Sequence, residues 1–89
     1  MAFHASRAGN PKLSALWQLY ETTHGEDKRA ILWCATAIKQ NEGNLEAASE
    51  SLGIDRKTWY KWFARYPALR IARSRVMYEL EEQRKRFPK

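Results

Sequence analysis

Residues 43–63, "GNLEAASESLGIDRKTWYKWF", hold the order of residue types on which the fold turns. Two short helices joined by a tight turn pack closely only when the inner face of the first is small, and Ala48 and Ser49 supply such a face. Gly53 suits a turn that needs a positive φ, where a side chain would cost energy. Ile54 is placed to plug the space between the helices. Asn44 and Asp55 each offer a side-chain oxygen to cap a helix start. In the second helix Trp59 and Phe63 stand one turn apart and point inward, with Trp62 beside them. The opposite face carries Arg56, Lys57, Tyr60, Lys61 and Ala64. This is the pattern of a helix-turn-helix, its second helix held by an aromatic side and offering a basic side to a major groove.

Outward from this unit, every segment reads as helix. Asn10 followed by Pro11 is an N-cap with proline at the first helical position. Leu13, Leu16, Trp17 and Tyr20 follow at helical spacing, and Gly25 stops the run. Asp27 is placed to cap a second helix with a buried stripe of Ala30, Ile31, Cys34, Ala37 and Ile38, which Gly43 ends. The third helix runs from the Asn44 cap to about Leu52, the fourth from the Asp55 cap to about Tyr66. Pro67 disfavours a helical Tyr66, so a break falls there. A last helix carries Leu69, Ala72, Val76, Leu80 and Phe87 on one side. No segment alternates with period two, and no repeat is visible. The expected fold is all-α, a helical bundle containing a helix-turn-helix with a long C-terminal helix.

The 89 residues suit one domain with a modest core and no deep catalytic cleft. The net charge of +6 is unevenly spread. Residues 1–50 carry five basic and six acidic side chains; residues 51–75 carry seven basic ones against Asp55 alone. A positive field concentrated in one stretch points to a polyanion, nucleic acid first, against the plainer alternative of a solvated basic face. The single Cys34 excludes an internal disulfide and fits a reducing compartment. No run of 18 apolar residues suggests a membrane span. "MAFHASRAGN" lacks the apolar stretch of a secretory signal and is expected to be a short flexible arm.

The pattern "GN…AA…LGI.R.T.Y" resembles the Fis-type helix-turn-helix, shared with the C-terminal domains of bacterial enhancer-binding activators. It is also similar to resolvase-type and phage small-terminase DNA-binding domains. The resemblance covers roughly Ile31 to Tyr66, about 40% of the chain. It implies DNA contacts at Arg56, Thr58 and Lys61, and a phosphate contact where Asn44 opens the first helix of the motif. Three features depart from the family. Ser49 replaces the usual alanine, Asp55 stands where serine or asparagine is commoner, and the chain continues about twenty residues past the point where Fis ends.

Asp55 reads as a cap, with hydrogen bonding to a cytosine amino group as its sharper alternative. Tyr60 reads equally as packing or as a DNA-backbone contact. Trp59, Trp62 and Phe63 read as core rather than as a base-stacking platform. His4, His24 and Cys34 lack metal-ligand spacing, and Glu26-Asp27 reads as a helix start. No nucleophile–base pair or phosphate loop stands out, so neither enzyme activity nor a cofactor is expected. The stripe of the last helix can close the core of a monomer or zip against a second copy. Its mixed charges count against a membrane surface.

The chain is thus expected to comprise an arm at 1–10, a helix-turn-helix DNA-binding domain at 11–66 and a C-terminal helix at 67–89 that is a candidate oligomerisation element. The expected function is sequence-specific binding of double-stranded DNA through Asn44, Arg56, Lys57, Thr58, Tyr60, Lys61 and Arg65. The expected state is a homodimer or higher homo-oligomer in the cytoplasm of a bacterium or phage-infected cell. The leading role is transcriptional regulator. One rival is a phage small-terminase-like protein for DNA packaging; another, from a different class, is a helical adaptor whose basic face binds an acidic protein.

Overall fold

Residues 11–86 are described by a computed structural model of the chain. The five helices among them are α1 (Pro11–Thr22), α2 (Arg29–Gln40), α3 (Leu45–Leu52), α4 (Arg56–Arg65) and α5 (Pro67–Arg86), with no strand. The all-α expectation therefore holds, long C-terminal helix included. The Asn10 cap, the arm and Phe87 lie outside the described residues.

The caps of the central unit form where the residue types place them. The Asn44 side chain accepts the N–H of Ala47 at 3.1 Å, and that of Asp55 accepts the N–H of Lys57 at 3.1 Å. At α2 the expectation shifts by one residue. Lys28 occupies the cap position without a side-chain bond. Asp27, one residue earlier, accepts the backbone N–H of Arg29 at 3.0 Å and pairs with its guanidinium at 2.8 Å. The bonds from the Arg29 side chain and backbone hold the Asp27 carboxyl below its ordinary range. Asp27 still satisfies one of the free N–H groups of the first turn, the service a cap provides.

Three helices end alike, each with two backbone bonds that close the last turn (a Schellman closure). After α1, His24 N–H reaches Glu21 O and Gly25 N–H reaches Tyr20 O. After α2, Glu42 N–H reaches Lys39 O and Gly43 N–H reaches Ile38 O. After α3, Gly53 N–H reaches Glu50 O and Ile54 N–H reaches Ser49 O. Only in the last is the left-handed residue of the closure a glycine, Gly53 with φ +70°. In the other two that position falls on His24 (φ +59°) and Glu42 (φ +55°), and Gly25 and Gly43 come one residue later.

The core draws on every helix. Leu13 and Trp17 from α1, Ala30, Cys34 and Ile38 from α2, Leu52 from α3, Trp59 and Phe63 from α4, and Leu69 and Val76 from α5 are all buried. α5 packs most extensively on α2, whose small Ala30, Cys34 and Ala37 permit a close approach. Leu69 is fully buried, Val76 nearly so, and Leu80 is half-buried against the same cluster. Lys39 and Glu79 pair at 3.3 Å along the edge of this contact. Of the two uses open to the α5 stripe, the structure shows the first: Leu69, Val76 and Leu80 close the core of their own chain. The break at Tyr66, with φ −120° and ψ 90° before Pro67, is a corner between two helices that share one core.

Candidate nucleic-acid interface

Helix α4 is fixed from behind by hydrogen bonds and rings. Trp59, fully buried, donates its Nε1–H to the carbonyl of Leu45 in the first turn of α3 at 3.1 Å. The Ser49 hydroxyl donates to the same carbonyl at 2.8 Å. Ser49 is only 3% exposed, so this bond explains how a hydroxyl is accommodated where the resemblance leads one to expect alanine. The two helices of the motif are thereby joined at one carbonyl oxygen as well as by packing.

A continuous set of rings carries the restraint to α1. Trp59 stacks near Phe63 and meets Trp62 edge-on, both at 5.8 Å between centroids. Trp62 lies 5.4 Å from Trp17, and Trp17 stacks on Tyr66 at 4.0 Å with their planes 13° apart. Tyr20 stands edge-on to both Trp17 and Tyr66. The Tyr66 hydroxyl donates to Glu21 of α1, and Arg65 pairs with that carboxylate at 2.9 Å. Burial first, then the bond to Glu21, pushes the Tyr66 hydroxyl up to about 12. Trp17 and Glu21 were not among the expected functional residues. Trp17 belonged to a helical stripe, but nothing in sequence alone pairs an α1 carboxylate with a residue 44 positions later.

The opposite side of α4 is open. Arg56, Lys57, Tyr60, Lys61, Ala64 and Arg65 are exposed, and Thr58 is half-buried. Asn44 is exposed at the start of α3, its carbonyl oxygen committed to the cap. The ion pairs among the described residues join Arg29 to Asp27, Lys39 to Glu79, Arg65 to Glu21 and Lys85 to Glu82. None involves Arg56, Lys57 or Lys61. Of the seven expected site residues, Arg56, Lys57, Tyr60 and Lys61 share one exposed face on which none of the three cations is in an ion pair, with the Asp55 cap at its start. Thr58 and Arg65 fall on the flank toward α1, where Arg65 is already engaged.

The first turn of α4 contains Arg56 and Lys57 and no acid. A helix N-terminus carries a partial positive charge, so basic residues there oppose the fold's own electrostatics, while an anion is favoured. The Asp55 carboxylate at the cap supplies an anion at that end, and Arg56 and Lys57 set two cations beside it.

Other chemistry finds little support in the geometry. The buried Cys34 thiol is pushed up to about 12 by desolvation, so it stays protonated and unreactive. His24 is exposed at the α1–α2 turn. Among the described residues no three His, Cys, Asp or Glu side chains converge as metal ligands, and no helix is long and apolar enough to cross a membrane. No protein-family model, curated protein or solved structure matches this chain.

Proposed function

We propose that this chain binds double-stranded DNA, with α4 entering the major groove and α3 crossing the backbone above it. One observation carries the proposal: a helix locked to α3 and α1 along its aromatic side presents Arg56, Lys57, Tyr60 and Lys61 outward, with none of the three cations in an ion pair among the described residues. Ten residues make a helix about 15 Å long, which fits a groove about 12 Å wide. The lysines are suited to phosphate, and Arg56, at the helix start, is suited to a guanine edge. The role we propose is regulation of transcription, with two copies on half-sites one helical turn apart. Because the apolar stripe of α5 is used within the chain, pairing of copies would have to use other surface residues or the DNA itself.

The experiment is a salt titration of binding to duplex DNA. Four neutralised phosphates per protomer give a log–log slope near about −3.6, or about −7 for a pair. A slope near zero rejects nucleic acid as the partner and leaves a basic face for an acidic protein.

A further inference from the structure

We propose that Arg73 of α5 is a phosphate-binding residue that extends the α4 surface onto a second helix; the inference rests on the duplex-binding function proposed above. The Arg73 guanidinium carbon lies 5.1 Å from the centre of the Phe63 ring, on α4. Tyr60, one turn before Phe63, meets that ring edge-on at 6.4 Å and is itself 57% exposed. Arg56 precedes Tyr60 by one more turn, so Arg56, Tyr60 and Phe63 run down one flank of α4. Arg73 therefore adjoins the flank opposite the one engaged by Glu21.

The bonding state of Arg73 is anomalous for a structural arginine. It is half-buried, and its Nε–H is fully shielded with no acceptor. No ion pair reaches it among the described residues, whereas Arg29 has Asp27 and Arg65 has Glu21. The ring face attracts the cation but offers the Nε–H no acceptor. A desolvated donor on a charged group is costly when left unbonded, and an aliphatic side chain would cover Phe63 without that cost. Among the Arg73 nitrogens only Nε is shielded, so a phosphate oxygen meets the outer Nη groups, where the guanidinium fork matches it in shape and charge, and gives the half-buried cation a counter-charge. Arg70, one turn earlier on the same side of α5, is exposed and also without an ion pair, so it stands ready as a second donor. Sequence carried the signal: Arg73 is four residues after Leu69 and three before Val76, which places a charge on the apolar side of α5.

The test compares wild type with Arg73→Met and Arg73→Gln on a specific and a scrambled duplex across salt. Loss of one phosphate contact makes the slope shallower by about 0.9, and the gap between wild type and variant narrows about threefold from 50 to 200 mM salt. Both duplexes weaken by the same factor, and thermal stability is kept or raised. An unchanged slope with a lowered melting temperature would overturn the proposal and make Arg73 a packing residue. In the wild-type protein, the NMR signals of the Arg73 guanidinium Nη–H groups should shift on saturation with duplex as they gain an acceptor. Signals that stay put while duplex binds contradict the proposal even if neither variant folds. A wild type without a salt slope rejects the duplex-binding function itself.

Discussion

Arg56 faces two opposing demands. As the first residue of α4 it places a positive charge on the positive end of a helix, at a cost of about 0.3–1 kcal/mol. Arg56→Glu reverses that sign and is expected to raise the unfolding free energy measured in urea by an amount in that range while reducing duplex affinity at least tenfold. If stability and binding fall together, Arg56 supports the fold and the electrostatic conflict at this turn has another origin. At the same scale, the caps of Asn44 and Asp55 were legible in the sequence because a cap is a local bond between near neighbours. The left-handed positions were less so. Gly25 and Gly43 take positive φ where they end α1 and α2, +85° each, but the residue before each, His24 and Glu42, is left-handed as well, and residue type alone did not mark those two. At the start of α2 the difference is local: Arg29 grips the Asp27 carboxylate through both backbone and side chain, and Lys28 takes the cap position.

Element by element, helical spacing identified the five helices and most of their buried faces, since the period of apolar residues is the mark of burial itself. Spacing was silent on which helix each face meets. The α5 stripe suited a partner chain as well as its own, and only its packing on α2 decides between them. Leu69 tests that assignment. It is 0% exposed, and Leu69→Ala is expected to cost about 2–5 kcal/mol in chemical denaturation, as deletions of buried leucine do. A loss under about 0.5 kcal/mol, within the range of most surface substitutions, would mean that α5 is dispensable to the core. The aromatic route from Trp59 through Trp62 and Trp17 to Tyr66 was partly visible, in that each ring sat on an apolar face. Contacts between residues more than forty apart, such as Trp17 with Trp62, were beyond any local pattern.

For the whole molecule, two buried protons shape the response to pH. Cys34 and Tyr66 titrate near 9.0 and 10.0 when unfolded, and the folded chain raises each to about 12. The unfolded state thus releases these protons first as pH rises. Their contribution is complete below about pH 9 and is lost progressively from there toward pH 12. The melting temperature should fall across that range, and Cys34→Ala should flatten the first part of the fall. An identical slope in the variant would show that the thiol is not the group responsible. The concentration of seven basic residues in 51–75 was plain in the sequence, and the fold places four of them, Arg56, Lys57, Lys61 and Arg65, on α4 and the other three, Arg70, Arg73 and Arg75, on α5. The most direct measurement compares two double variants of equal charge, Lys57→Ala with Lys61→Ala and Arg84→Ala with Arg86→Ala, on one duplex at one salt concentration. The α4 pair should lose affinity about ten- to a hundredfold, with a slope shallower by about 1.8, while the α5 pair changes it no more than about threefold. Equal losses from both would contradict the placement of DNA on α4 and reduce its attraction to overall charge.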